Sequence, residues 1–224
     1  MRIVLVRHGE SQGNVDPMIH ARTADHAIPL SERGHVQART AGEHVAAFYR
    51  ERFGSPDLAP HVRLWLSPYR RTRETAAALR ETAGEWIRDS HEHVLLCEQQ
   101  FGVFDGVPDD ELPHRFPAEW EYYDRCCRFG GKFWARMPLG ESRFDVAQRV
   151  HQAFGTLHRD FTDHGIEDFV VICHGVTLRA FVMMWCHLSP EWFEAERNPH
   201  NCAIRLIEGG TDWGYVFPGF GRAG

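Results

Sequence analysis

The sequence predicts an α/β protein: a three-layer sandwich with a mostly parallel central sheet and a helical lid insertion. Short apolar runs of strand length alternate with segments of helical period, the pattern of a parallel sheet covered on both faces. Several of these runs end abruptly in charged or polar residues. Between residues 107 and 139 the alternation stops and an aromatic-rich stretch intervenes. With 224 residues, 43% hydrophobic and 25% charged, the chain has the size and composition of one globular domain.

The first apolar run, 2–6, ends in Arg7-His8-Gly9-Glu10. Residues 31–50 read as a helix opened by the Ser31-Glu32 cap signal. A second strand, 62–66, leads through Ser67-Pro68 into a helix over 69–81, where a proline suits the first turn. Residues 93–97 read as a third strand. The clearest helix spans 142–164, where Ala147, Val150, Phe154, Leu157 and Phe161 recur at the spacing of one buried face. The apolar run 169–173 is a buried strand, and 176–185 the helix after it. Strands over 202–207 and 213–217, joined by a turn at Gly209-Gly210, close the sheet. The stretch 107–139 sets Trp120, Tyr122, Tyr123, Phe129, Phe133 and Trp134 among charges and prolines, and reads as a short helical lid over one sheet edge.

Charge and cysteine usage narrow the function classes. The net charge of −6 and isoelectric point near 6.2 argue against a nucleic-acid partner, which selects basic domains. No run approaches the ~18 apolar residues of a membrane span. Arg7, His8 and Glu10 also interrupt the N-terminal run, so neither a membrane partner nor a signal peptide is expected. Cys97, Cys126, Cys127, Cys173, Cys186 and Cys202 are scattered without a CxxC spacing, which indicates reduced thiols and a cytoplasmic location. His91 and His93 form an HxH pair without a third ligand nearby, so no metal and no cofactor is expected. Arg125, Arg128, Lys132 and Arg136 read as a solvated basic face of the insertion; the alternative turns one or two of them toward a second anionic group of a substrate.

In an open parallel sheet the carboxyl ends of the strands share one edge, and ligands bind in the crevice there. That topology brings Arg7, His8, Glu10, the segment 67–71, Glu98 and His174-Gly175 to one place. These segments resemble the histidine phosphatase superfamily, the phosphoglycerate-mutase-like fold. The resemblance covers most of the chain. It rests on Arg7-His8-Gly9-Glu10-Ser11 with Asn14, on Pro29-Leu30-Ser31-Glu32-Arg33-Gly34, and on Ser67-Pro68-Tyr69-Arg70-Arg71-Thr72 with Thr75-Ala76. Glu98 with Gly102 and Gly106, Gly140-Glu141-Ser142 and His174-Gly175 complete it.

The resemblance implies phosphoryl transfer without metal. His8 is the implied nucleophile, a neutral imidazole that takes up the phosphoryl group and divides one hard step into two. Arg7 and Arg71 clamp the phosphoryl oxygens, because a planar guanidinium fits them in bidentate fashion; spacing from Ser67 favours Arg71 over Arg70. His174, expected as an imidazolium, adds a donor, and Asn14 contributes its side-chain amide. Gly9 is expected to let the backbone pass close to the phosphate, and Gly175 belongs with the substrate-binding set. Glu98 is the general acid, for which burial under the lid is the expected means of holding a proton. Glu10 and Arg22 are secondary candidates, Glu10 to orient a phosphate ligand and Arg22 to reach the pocket.

The implied activity is hydrolysis of a small phosphomonoester through a phosphohistidine. A cofactor-dependent phosphoglycerate mutase and a non-catalytic phosphate-binding module are the alternatives. Residues 115–123 do not resemble the mutase pattern, and no residue of the expected catalytic set is missing. The partner is then a small phosphorylated substrate. Related proteins occur as monomers and as dimers, which leaves a homodimer as one of two expected assemblies.

Overall fold

The computed structural model describes residues 1–221. The chain begins with β1 (Arg2–Arg7), a one-turn α1 (Gln12–Val15) and the long α2 (Glu32–Phe53). It continues through β2 (Val62–Leu66), α3 (Arg70–Ala83) and β3 (Ile87–Glu92). The insertion contributes α4 (Leu112–Arg115) and α5 (Pro117–Gly130). Then come α6 (Arg143–His164), β4 (Asp168–Cys173), α7 (Gly175–Trp185), α8 (Pro190–Ala195), β5 (Ile204–Glu208) and β6 (Thr211–Phe217).

The six strands form one sheet in the order β3-β2-β4-β1-β5-β6. The first four are mutually parallel, while β5 and β6 add an antiparallel margin. Strand alternation divides the core cleanly. Ile3, Leu5, Phe169, Val171 and Cys173 face α6 and α7 on one side. Val4, Val6, Val170 and Ile172 face α2 and α3 on the other. The α2 stripe is Ala38, Ala41, Val45 and Tyr49, all buried. Ser31 opens this helix by accepting from the Gly34 N–H, as Ser142 opens α6 through a capping box with Asp145. The thiol of Cys173 is in the core as expected.

Three expected elements differ. The third strand lies at Ile87–Glu92, not 93–97, and residues 94–96 form a 3₁₀ turn whose Leu95 N–H donates to His93 Nδ1. The cause is position: β3 is an edge strand, mostly exposed, and needs no apolar alternation. The closing strand starts at Ile204 because Cys202 sits in the left-handed region, with φ 56°. Pro68 precedes the helix rather than joining its first turn, since Tyr69 is the N-cap of α3.

The insertion builds a small core of its own. Phe104, Leu112, Tyr123 and Ala135 are buried together, with Phe116 and Trp120 packed against them. Phe133 instead enters the main core, edge-to-face with Phe193 at 5.4 Å. The basic residues follow the solvated reading. Arg128 pairs with Asp124 at 2.6 Å and Arg136 with Asp145 at 2.5 Å, while Arg125 lies over the Tyr122 ring. No helix among the described residues is long and apolar enough to cross a membrane.

Candidate active site

Parallel pairing places Arg7 opposite Cys173, so His8 and His174 leave the sheet side by side. Their rings lie 5.2 Å apart, edge to face. His8 is fastened through its backbone, donating to Cys173 O at 3.0 Å and accepting from the Cys202 N–H at 3.2 Å. Its Nδ1 is 2.6 Å from the Gly9 carbonyl oxygen. A carbonyl only accepts, so Nδ1 carries the proton and Nε2 keeps its lone pair. Burial, then the charges of Arg71 and Arg7, hold this imidazole well below its ordinary pKa. His8 is therefore neutral, with one nitrogen available for attack.

His174 corrects an expectation. Its Nδ1 accepts from Arg71 Nε–H at 3.3 Å, and its Nε2 lies 2.9 Å from Ser67 Oγ. An arginine only donates, so Nδ1 is bare and the single ring proton points at Ser67. Burial and the adjacent Arg71 charge press its pKa well down. In this structure His174 is a neutral imidazole, not an imidazolium, because a second proton would sit beside a guanidinium.

Arg71 is buried, whereas Arg70 is exposed and paired with Glu74 at 2.7 Å. The Arg71 fork holds the Asp25 carboxylate, with Nη1–Oδ1 at 2.8 Å and Nη2–Oδ2 at 3.1 Å. Nη1 also donates to the Asp25 carbonyl at 2.7 Å. Arg7, at the end of β1, donates to Pro199 O at 2.5 Å. Together with Asn14, His200 and Asn201 it lines a cavity of about 400 Å³. Asn14 Oδ1 accepts from the Ser11 N–H, the Ser11 hydroxyl and Asn201 Nδ2, at 3.0, 3.1 and 3.1 Å. Its oxygen is thus engaged three times, which leaves the amide nitrogen as the end of Asn14 with donors to offer.

Both glycines of the set stand at close contacts within the protein. A Cβ on Gly9 would come within 2.5 Å of the Gly34 carbonyl oxygen. Gly9 is thus required by the crossing of two backbones, the Arg7-His8-Gly9-Glu10 loop over the start of α2. Gly175 likewise makes space for the Asn198 side chain.

Glu98 approaches the amino end of α7. Oε1 accepts from the N–H groups of Gln99 and Thr177 and from Thr177 Oγ, at 2.9, 3.3 and 3.2 Å. Among the described residues Oε2 accepts only from the Val176 N–H, at 3.3 Å. Glu98 is half-buried and lines a cavity of about 560 Å³ with Pro68, Tyr69, Leu95, Glu141 and Arg149. No residue of 107–139 lines that cavity, so the expected burial under the insertion is not its setting. The segment carrying Glu98 is held from α6 instead. Arg149 donates to the carbonyls of Leu95, Cys97 and Glu98 at 2.8, 2.8 and 3.0 Å. Its remaining donors take both Glu141 oxygens, at 2.8 and 3.0 Å.

Two expected residues stay apart from this group. Glu10 accepts from the Ser31 hydroxyl at 2.8 Å and from Arg33 at 3.1 Å, which makes it a buried brace for α2. Arg22 is 70% exposed and paired with Asp16. The HxH pair is also split, His91 beside Asp89 on β3 and His93 against Thr156 at 3.1 Å. Among the described residues no cluster of three or more His, Cys, Asp or Glu could hold a metal ion.

Asp25, Arg149 and Asn201 join the site without having been singled out, whereas Ser67 was expected there as part of segment 67–71. Only Arg149 left a trace in the sequence, as a cation bordering the apolar stripe Val146, Val150 and Ala153 of α6.

A neutral imidazole between two arginines, at the carboxyl edge of a doubly wound sheet, defines an α/β protein built to handle a phosphoryl group. The sequence profile of the histidine phosphatase superfamily (branch 1) matches residues 3–215, and the chain belongs to that family. It is 36% identical to the phosphoglycerate mutase-like protein AT74 of Arabidopsis thaliana, over 96% of this chain and 66% of that protein. It is 25% identical to the broad-range acid phosphatase DET1 of Saccharomyces cerevisiae, over 92% of this chain and 84% of that one. Among solved structures, the alpha-ribazole phosphatase from Shigella flexneri shares the fold with a TM-score of 0.69, at 19% identity and full coverage of both chains. A mycobacterial glucosyl-3-phosphoglycerate phosphatase gives a TM-score of 0.67 at 23% identity, over 92% of this chain and 90% of that one.

Proposed function

We propose that the chain is a phosphomonoester hydrolase that works through a phosphohistidine at His8 on a small organic phosphate. The observation that carries this reading is the His8 tautomer: Nδ1–H is committed to Gly9 O, which leaves Nε2 as a neutral nucleophile with Arg7 and Arg71 beside it. Nε2 attacks phosphorus, the P–O ester bond breaks, and the leaving oxygen takes its proton from Glu98. Oε2, with one weak donor against three on Oε1, is the oxygen free to carry that proton. Water then attacks the phosphohistidine, its proton returns to Glu98, and inorganic phosphate leaves. The guanidinium charges stabilise the spreading negative charge, so the scheme needs no metal. An acid phosphatase among the relatives supports hydrolysis over transfer to a second hydroxyl. Six free cysteines support a reducing compartment such as the cytoplasm.

Rapid acid and alkaline quenching of turnover on labelled substrate tests the reading. An alkali-stable, acid-labile phosphoryl adduct is expected on the wild-type protein and not on His8→Ala, which releases no phosphate. Hydrolysis that persists in His8→Ala rules the scheme out.

A further inference from the structure

The cavity beside Glu98 is the candidate seat of the leaving group, because the acid has to reach the ester oxygen and Tyr69 borders both this cavity and His174, ring to ring at 5.0 Å. Its charged walls are already committed. All five N–H groups of Arg149 are used, three on backbone carbonyls and two on Glu141. Arg73 is held in a two-point pair with Glu92, Nε–Oε1 at 2.6 Å and Nη2–Oε2 at 2.7 Å. Glu141 in the same lining is paired with Arg149, and Glu98 holds its proton until the ester oxygen takes it. Pro68, Tyr69, Val94 and Leu95 make the apolar part of the lining, with Val94 69% exposed, and His26, Cys97 and Gln100 complete it. Burial keeps the Tyr69 phenol protonated well above neutral pH, so that wall carries no charge of its own. The basic side chains of the insertion do not line the cavity.

We propose that this cavity selects phosphomonoesters whose leaving group is uncharged and carries an apolar or aromatic body, and disfavours phosphoglycerates and sugar bisphosphates. The inference rests on the hydrolase reading above and adds its substrate class. A second anionic group entering here meets no uncommitted guanidinium, and only the exposed His26 imidazole and the Gln100 side-chain amide are left to replace the water it loses. An aromatic or aliphatic body covers Tyr69, Val94 and Leu95 instead, in a cavity whose volume falls within the range of small-molecule sites.

The test compares primary alkyl phosphates of like leaving-group type on the full chain: 2-phenylethyl phosphate, glycerol 3-phosphate, 3-phosphoglycerate and fructose 1,6-bisphosphate. The expected kcat/KM for 2-phenylethyl phosphate exceeds that for 3-phosphoglycerate by about tenfold or more. Glu92→Gln, on the surface outside the cavity, frees the Arg73 fork and is expected to narrow that ratio about threefold. Equal or better turnover of 3-phosphoglycerate, or a ratio unmoved by Glu92→Gln, overturns the substrate class while His8-dependent hydrolysis stands. Failure to release phosphate from every ester, p-nitrophenyl phosphate included, overturns the hydrolase reading itself and the substrate class with it.

Discussion

Replacing Arg149 with methionine separates proton donation from phosphoryl binding. The guanidinium makes five hydrogen bonds, three of them to the carbonyls that flank and include Glu98. Methionine keeps much of the aliphatic stem and removes every donor. Cys97 O retains the Thr177 hydroxyl at 2.6 Å, and Glu141 retains the Gln100 N–H at 3.0 Å, so the segment loosens without being orphaned. Breaking a largely buried arginine–carboxylate pair costs about 3 kcal/mol of stability. The catalytic loss follows leaving-group chemistry. An alkyl oxygen needs its proton and forfeits about 100-fold when the acid is misplaced, whereas p-nitrophenolate leaves unaided and loses about threefold. The assay is kcat/KM on both esters at one pH, with thermal unfolding run alongside to show that the variant is folded at the assay temperature. A parallel fall on the two esters means that Arg149 supports the whole site and does not position the acid, and the reasoning fails.

Acid sensitivity should follow from the two buried, neutral histidines. His8 and His174 have lowered pKa values in the fold, so below about pH 6.5 the unfolded chain binds protons that the folded one refuses. Stability falls with pH, by on the order of 1 kcal/mol per ring between pH 7.5 and 5.5. His20, raised by Asp105, works in the opposite sense. Thermal melts at the two pH values should show a smaller acid loss in His8→Asn, and an identical loss would contradict this. Gly9→Ala sets a Cβ against the Gly34 carbonyl oxygen and should cost about 2 kcal/mol or more; an unchanged denaturant midpoint would mean that the loop has room to move. Asp25→Asn releases the Arg71 fork from its carboxylate. Inorganic phosphate should then inhibit about fivefold more tightly, and weaker inhibition would show Asp25 to be a support for Arg71 instead of a competitor for it.

The layered sheet was legible because its central strands are saturated with apolar residues: β4 is buried throughout, and β1 nearly so. Their abrupt polar ends then announced His8 and His174. Edge strand β3 escaped because solvent places no apolar demand on it. The protonation state of His174 could not be read, since it depends on an arginine 103 positions away in the chain. The contact of Gly9 with Gly34 was not legible, because contacts between backbones leave little mark in a sequence beyond the glycines themselves. Asp25 stands in a short 3₁₀ segment with no periodic pattern to mark it, and only the fold brings it to Arg71.

The aromatic cluster around Phe104 has a consequence for how this protein can change. Helices α4 and α5 bury their apolar faces in a small core completed by Phe104 and Ala135, and the phosphoryl machinery hangs from the strand ends. Substitutions that reshape the appendage therefore need not disturb the tautomer of His8 or the seating of Glu98. A graft of this segment from another family member that keeps Phe133, its anchor in the main core, is then a practical route to altering the molecule's surroundings while leaving its chemistry in place.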